Sequence, residues 1–164
     1  MTKKGLLNPQ GARFAGGSNT WTGLHGSSTA LALLSAARAH DGIVLVITRS
    51  SHQSHLLEQD IGLFSDGSLP ILHFPDHETL PYDPFSPHPD IIAERLATLS
   101  SLAAVKNGLL LVPMATLMQR LPPRSHALGQ NIQLKVGQSL VINEFRERLQ
   151  QAGYSHNDPV YQAG

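Results

Sequence analysis

The chain has 164 residues, 41% of them hydrophobic and only 15% charged, with 12 Lys and Arg balanced by 12 Asp and Glu. That is enough apolar material for one folded domain or one domain and part of a second, and it excludes wholesale disorder. A formal net charge of zero speaks against a free-standing nucleic-acid binder, and the lack of cysteine removes disulfides, thiolate metal sites and a cysteine nucleophile, in keeping with an intracellular, cytoplasmic setting.

Residues 1–20 carry Lys3 and Lys4 but no apolar run, so no signal peptide is expected, and Gly5, Pro9, Gly11, Gly16 and Gly17 mark a loop-like, flexible segment. The chain then alternates. Ser28 or Thr29 is placed to cap a small-residue helix running to Ala39, which Asp41-Gly42 ends. Ile43 to Ile47 is a continuous apolar, β-branched run, expected as a strand buried on both faces. Ser50 to about Phe64 spaces Leu56, Leu57, Ile61 and Phe64 as a helix does, and Leu69 to Phe74 reads as a second strand. From Pro75 to Pro89 repeated prolines impose an extended loop, because proline lacks the N–H that ladders and helices use.

Pro89 suits the first turn of a helix through Lys106, with Ile92, Leu96, Leu99 and Ala103 as its apolar stripe. Leu109 to Val112 is a third strand, and Ala115 to Leu121 a short helix stopped by Pro122-Pro123. Strand and helix in alternation predict an α/β fold with a parallel sheet. Beyond Pro123 the texture changes: Ile132, Leu134 and Val136 alternate as on a half-exposed strand, Phe145, Leu149 and Ala152 mark an amphipathic helix, and Tyr154 to Tyr161 suits another strand. The expected layout is therefore a flexible segment 1–20, an α/β domain over 21–126, and over 127–164 the opening of a small α+β domain, with the chain a fragment. No run is long and apolar enough to span a bilayer, so no membrane partner is expected.

Gly23-Leu-His-Gly26-Ser-Ser28-Thr29-Ala30 has the layout of a phosphate-binding P-loop with its working positions changed. Ser28 replaces the second glycine, Thr29 the lysine that reaches the terminal phosphates, and Ala30 the hydroxyl that holds magnesium. Without both of the latter, Mg-ATP cannot be positioned for phosphoryl transfer. The alternative is a Gly/Ser loop that only caps a helix. Of the nine histidines, His52 and His55 sit three apart on one helix, and His73 and His77 flank the turn at Asp76. Neither pair has a third ligand on its own element, so no metal site is expected. In the Pro-rich loop, Tyr82 and Phe85 either anchor a partner or cover the sheet edge. Arg124, Lys135, Arg146 and Arg148 give the second unit a mild basic bias that Glu144 and Glu147 dilute into a solvated face. No Gly-x-Ser-x-Gly elbow marks a serine hydrolase.

Phe74-Pro-Asp-His-Glu-Thr-Leu-Pro-Tyr-Asp-Pro-Phe-Ser-Pro-His-Pro-Asp-Ile-Ile-Ala-Glu-Arg-Leu96, followed by Val112-Pro-Met-Ala-Thr-Leu-Met-Gln-Arg120, resembles the N-terminal region of the bacterial transcription-repair coupling factors, the Mfd family. Leu134-Lys-Val-Gly-Gln-Ser-Leu140, Leu149-Gln-Gln-Ala-Gly-Tyr154 and Asn157-Asp158 are similar to the second domain of the excision-repair protein UvrB, which those factors share. The resemblance runs from about residue 20 to 164 and implies a first domain with a decayed P-loop, at Gly23, Gly26, Ser28, Thr29 and Ala30, where UvrB has an intact one. It implies a non-catalytic module that recruits UvrA through the second domain, with Tyr82, Phe85, Arg146 and Arg148 as candidate partner contacts and no cofactor of its own. ATP and magnesium would serve translocase motors elsewhere in the full-length protein, as would contacts to RNA polymerase and DNA. The UvrA-binding Gly-Glu-[Phe/Tyr]-x-x-Arg-Gly segment of the family is expected to begin at about Gly164, leaving the second domain incomplete. Left open beside this are a domain that uses nucleotide through a neighbouring or partner site, and an interaction domain outside repair.

Overall fold

The computed structural model describes residues 17–18, 20–80, 82–124, 127, 134 and 136–151. Helix α1 spans Ser28–Ala39, strand β1 Ile43–Thr48, helix α2 Ser51–Phe64, strand β2 Ile71–His73, helix α3 Pro89–Leu102, strand β3 Gly108–Pro113, helix α4 Met114–Leu117 and helix α5 Ile142–Gln151. The three strands form a parallel sheet in the order β1-β3-β2. The α/β fold with its parallel sheet is as expected, and β3, the last strand among the described residues, is central.

Register explains where the core lies. Val44 pairs with Leu109 and Val46 with Leu111, while Ile71 pairs with Leu109 from the other side, so these side chains share one face. Ala30, Leu34 and Ala37 of α1 and Leu57 and Ile61 of α2 pack onto that face. Small side chains on α1 let it approach the sheet closely. Helix α2 starts where Ser50 accepts the backbone N–H of Gln53 at 3.3 Å, and the Gln53 side chain in turn accepts from the Arg49 N–H at 2.9 Å, a reciprocal cap. Gly108 is required where β3 passes the segment leading into β2: a Cβ there would stand 2.7 Å from the Pro70 carbonyl oxygen, which instead accepts the Leu109 N–H at 2.9 Å.

Several expected features come out differently. Strand β1 is not buried on both faces: Leu45 and Ile47, pointing away from α1 and α2, are each 49% exposed. Strand β2 is confined to Ile71–His73 between Pro70 and Pro75. Helix α3 closes at Leu102 rather than Lys106, because Ala103 and Ala104 bond back to Ser100 and Ser101 in tight turns. It also does not bury its apolar stripe. Ile92 is exposed, and the buried positions are Arg95 and Thr98. The physical reason is backbone satisfaction: α3 lies beside the end of β2, where the carbonyls of His73 and Pro75 need donors that Thr98 and Arg95 provide. Leu99 and Ala103 of the stripe instead line a shallow recess of about 370 Å³ with Leu102, Leu121, Pro122 and Ala127.

Helix α4 is shorter than expected, ending at Leu117. Helix α5 covers the expected amphipathic segment, with Val141, which has no side-chain acceptor, just before it. Val136 and Gly137 form a turn, and the rest of the strand expected around Ile132, together with that over Tyr154 to Tyr161, lies outside the described residues. No described helix is long and apolar enough to cross a membrane.

Candidate functional site

Two loops, each feeding a helix, hold most of the residues singled out in the sequence. In the first, Gly23 and Gly26 adopt left-handed φ of 72° and 55°, which only glycine takes without strain. The His25 carbonyl accepts both the Ser28 N–H at 3.2 Å and the Ser28 hydroxyl at 2.7 Å. The Ser28 N–H and hydroxyl are thus both turned back into the loop. Thr29 is half-buried and Ala30 is 0% exposed, packed in the core beside Leu34. A side chain at position 30 points into the protein, not toward a metal-bound phosphate. Helix α1 starts at Ser28 behind Ser27, whose side chain makes no capping hydrogen bond, and the Ser28 hydroxyl turns back to His25, so neither Ser28 nor Thr29 caps the helix as expected.

The second loop, residues 74–88, leaves the C-terminal end of β2. Its root is held from two sides. The Arg95 guanidinium donates to the Pro75 carbonyl and lies 4.2 Å over the Phe74 ring. Thr98 donates to the His73 carbonyl at 2.7 Å. The Gln119 amide donates to Asp76, which also accepts the His77 N–H at 2.9 Å. Burial lowers the His77 pKa from its ordinary 6.5, with the nearby Arg95 charge acting the same way against the opposing pull of Asp76. Burial likewise lowers the Arg95 pKa, against the opposing pull of Asp76. At the far end, the His88 ring accepts the Asp90 N–H at 3.3 Å and caps α3.

Between these anchors the tip stands in solvent. Leu80, Tyr82 and Phe85 are all exposed, Tyr82 completely, so the aromatics do not cover the sheet edge. Glu78 and Tyr82 hold left-handed φ of 57° and 70°, a conformation worth about 1–3 kcal/mol of strain for such residues and sustained by the anchored surroundings. The anchored loop thus presents bare aromatic and aliphatic side chains at the C-terminal end of a parallel strand.

Arg124, Arg146 and Arg148 are exposed, the latter two on α5, and Lys135 lies outside the described residues. Elsewhere, Asp66 accepts from the Ser68 hydroxyl and N–H and pairs with Arg38 at 3.1 Å; those hydrogen bonds first, and the arginine after them, hold its pKa at about 2. The histidines group differently from the sequence pairs. His55 of α2 and His73 of β2 meet edge to face, 4.6 Å between ring centroids, while His52 is exposed and His77 belongs to the loop root. Sequence reasoning sought ligands along single elements and so passed over this pair; the one local signal was Glu58, three residues after His55 on the same helix.

No family model matches the chain. Over 141 residues it is 40% identical to the transcription-repair-coupling factor of Escherichia coli (strain K12), a match covering 86% of this chain and 12% of that protein. The chain is a relative of the transcription-repair-coupling factors. Identity is 37% over 135 residues to the Haemophilus influenzae factor, covering 82% of the chain and 12% of the relative. For the Staphylococcus haemolyticus factor it is 29% over 143 residues, covering 87% and 12%. The family expected from the Phe74 to Leu96 stretch is the family found, and this chain spans about 12% of the length of those curated relatives.

Proposed function

We propose that this chain is the UvrB-like, non-catalytic recruitment module of a transcription-repair-coupling factor, which brings UvrA to stalled RNA polymerase in transcription-coupled excision repair. The relationship to the coupling factors carries the reading. In it the 21–126 unit is a UvrB-like first domain whose P-loop has decayed, and the unit from 127 is the start of the UvrA-binding domain. Two observations support the absence of catalysis: Thr29 stands where the phosphate-reaching lysine belongs, and Ala30 is sealed in the core. Two others support a contact role, the bare Tyr82 and Phe85 of the anchored loop and the exposed Arg146 and Arg148 of α5. ATP-driven translocation, with its magnesium, and the contacts to DNA and RNA polymerase belong to other parts of the full-length protein. The module works in the cytoplasm.

The test is UvrA binding by this chain and by one extended by roughly 50 residues to complete a small second domain. Binding is expected with the extended chain and is expected to weaken in its Arg146→Ala/Arg148→Ala form. An extended, folded chain that ignores UvrA would overturn the recruitment reading. Saturable Mg-ATP binding, seen as a rise in melting temperature, would overturn the non-catalytic one and favour a domain that uses nucleotide through a neighbouring site.

A further inference from the structure

Away from both loop tips, three elements deliver imidazole and carboxylate groups to one place. His55 and Glu58 stand one turn apart on α2, so their side chains share a face. His73 is the last residue of β2, and Glu94 approaches from α3. A Glu58 carboxylate oxygen lies 3.9 Å from Nδ1 of His55 and 3.9 Å from Nδ1 of His73, and Glu94 lies 3.3 Å from that same His73 nitrogen. One donor atom each from His55, Glu58 and His73 falls within 4.8 Å of the others. A tetrahedral ion with bonds of about 2.1 Å has donor-to-donor edges of about 3.4 Å. The gathered atoms therefore sit outside the shell of a bound metal, and side-chain rotations must draw them inward to close it.

Electrostatics points the same way. The His73 side chain is only 4% exposed. Two carboxylates converge on its Nδ1, and a neutral imidazole can donate a single hydrogen there. A divalent cation shared by the cluster answers both carboxylates at once and fixes the histidine tautomer. Glu94 and His55 keep about half their side chains in solvent, at 49% and 53% exposed, so an ion has a way in.

We propose that His55, Glu58 and His73 bind a divalent transition-metal ion, with Glu94 or water completing the shell. Two imidazoles and a carboxylate without thiolate suit zinc; magnesium and calcium choose all-oxygen shells. The bound ion ties α2 to the end of β2, and α3 as well where Glu94 completes the shell, directly before Phe74 and Pro75 where the exposed loop departs. It acts as a staple at the root of that contact surface.

Titrating the whole chain with zinc chloride, by calorimetry and by melting, tests the site. Saturable zinc binding and a raised melting temperature are expected, with magnesium producing neither. His55→Ala and Glu58→Gln replace side chains with substantial solvent exposure, so the variants keep their circular dichroism, and each is expected to weaken zinc binding about 10-fold or more. His52→Ala, on the same helix but outside the cluster, is expected to leave it unchanged. The site is overturned if zinc neither binds nor raises the melting temperature. It is equally overturned if His55→Ala and Glu58→Gln bind zinc as the parent does, because the ion then sits on other histidines.

Discussion

The loop before α1 and the loop before α3 solve the same problem, delivering a chain to a helix N-terminus, by opposite means. The first relies on glycine and on hydrogen bonds closed within a few residues, from Ser28 to His25. The second relies on side chains from distant elements: Arg95 and Thr98 of α3, and Gln119 just beyond α4. A loop held by its own backbone can drift in sequence without much consequence. A loop held by buried partners 20 to 43 residues away cannot.

The contrast can be broken most forcefully at Arg95. Arg95→Ala removes a charged hydrogen bond and the contact over Phe74, and is expected to lower stability by about 3 kcal/mol in urea unfolding. The same variant should open residues 76–88 to limited proteolysis. If cleavage there is unchanged, the loop does not depend on its remote anchors. Next comes Ala30→Thr, which supplies the hydroxyl that an intact P-loop carries at this position. Because position 30 is filled by the core, a loss of about 1–3 kcal/mol is expected, and Thr29→Lys/Ala30→Thr should still show no calorimetric signal with Mg-ATP.

A pH titration separates the loops further. Burial lowers the His77 pKa below 6.5, so as pH falls the unfolded chain takes up a proton that the folded chain resists. Stability contributed by this group is complete above pH 6.5 and declines below it toward the lowered folded value. Urea midpoints measured down that range should fall less steeply in His77→Gln. The smallest effect belongs to the first loop, where Ser28→Ala gives up one exposed hydrogen bond. Its melting temperature should correspond to a loss of about 0.5 kcal/mol or less.

How much of this was legible depended on whether the cause was local. The periodic or β-branched runs of α1, β1, α2 and β3 were readable because neighbours in sequence decide them. The central position of β3 was not, since no residue in it encodes which strands flank it. Helix α3 shows the commonest failure: Ile92, Leu96, Leu99 and Ala103 make a fair apolar stripe, yet bare carbonyls at the end of β2 drew Arg95 and Thr98 inward instead. For Tyr82 and Phe85 the sequence left covered and exposed placements open, and tertiary packing leaves both in solvent. The convergence of His55, Glu58, His73 and Glu94 was invisible for a related reason. Its members come from three elements that only the sheet topology brings together.

The half-covered β1 has a consequence for handling this protein. Among the described residues it is an edge strand, and Ile-Val-Leu-Val-Ile-Thr carries neither charge nor proline while Leu45 and Ile47 face outward. A six-residue run of that kind is a template on which a second chain can add its own strand and begin a cross-β stack. Asp41 and Arg49 stand at its two ends as charged gatekeepers.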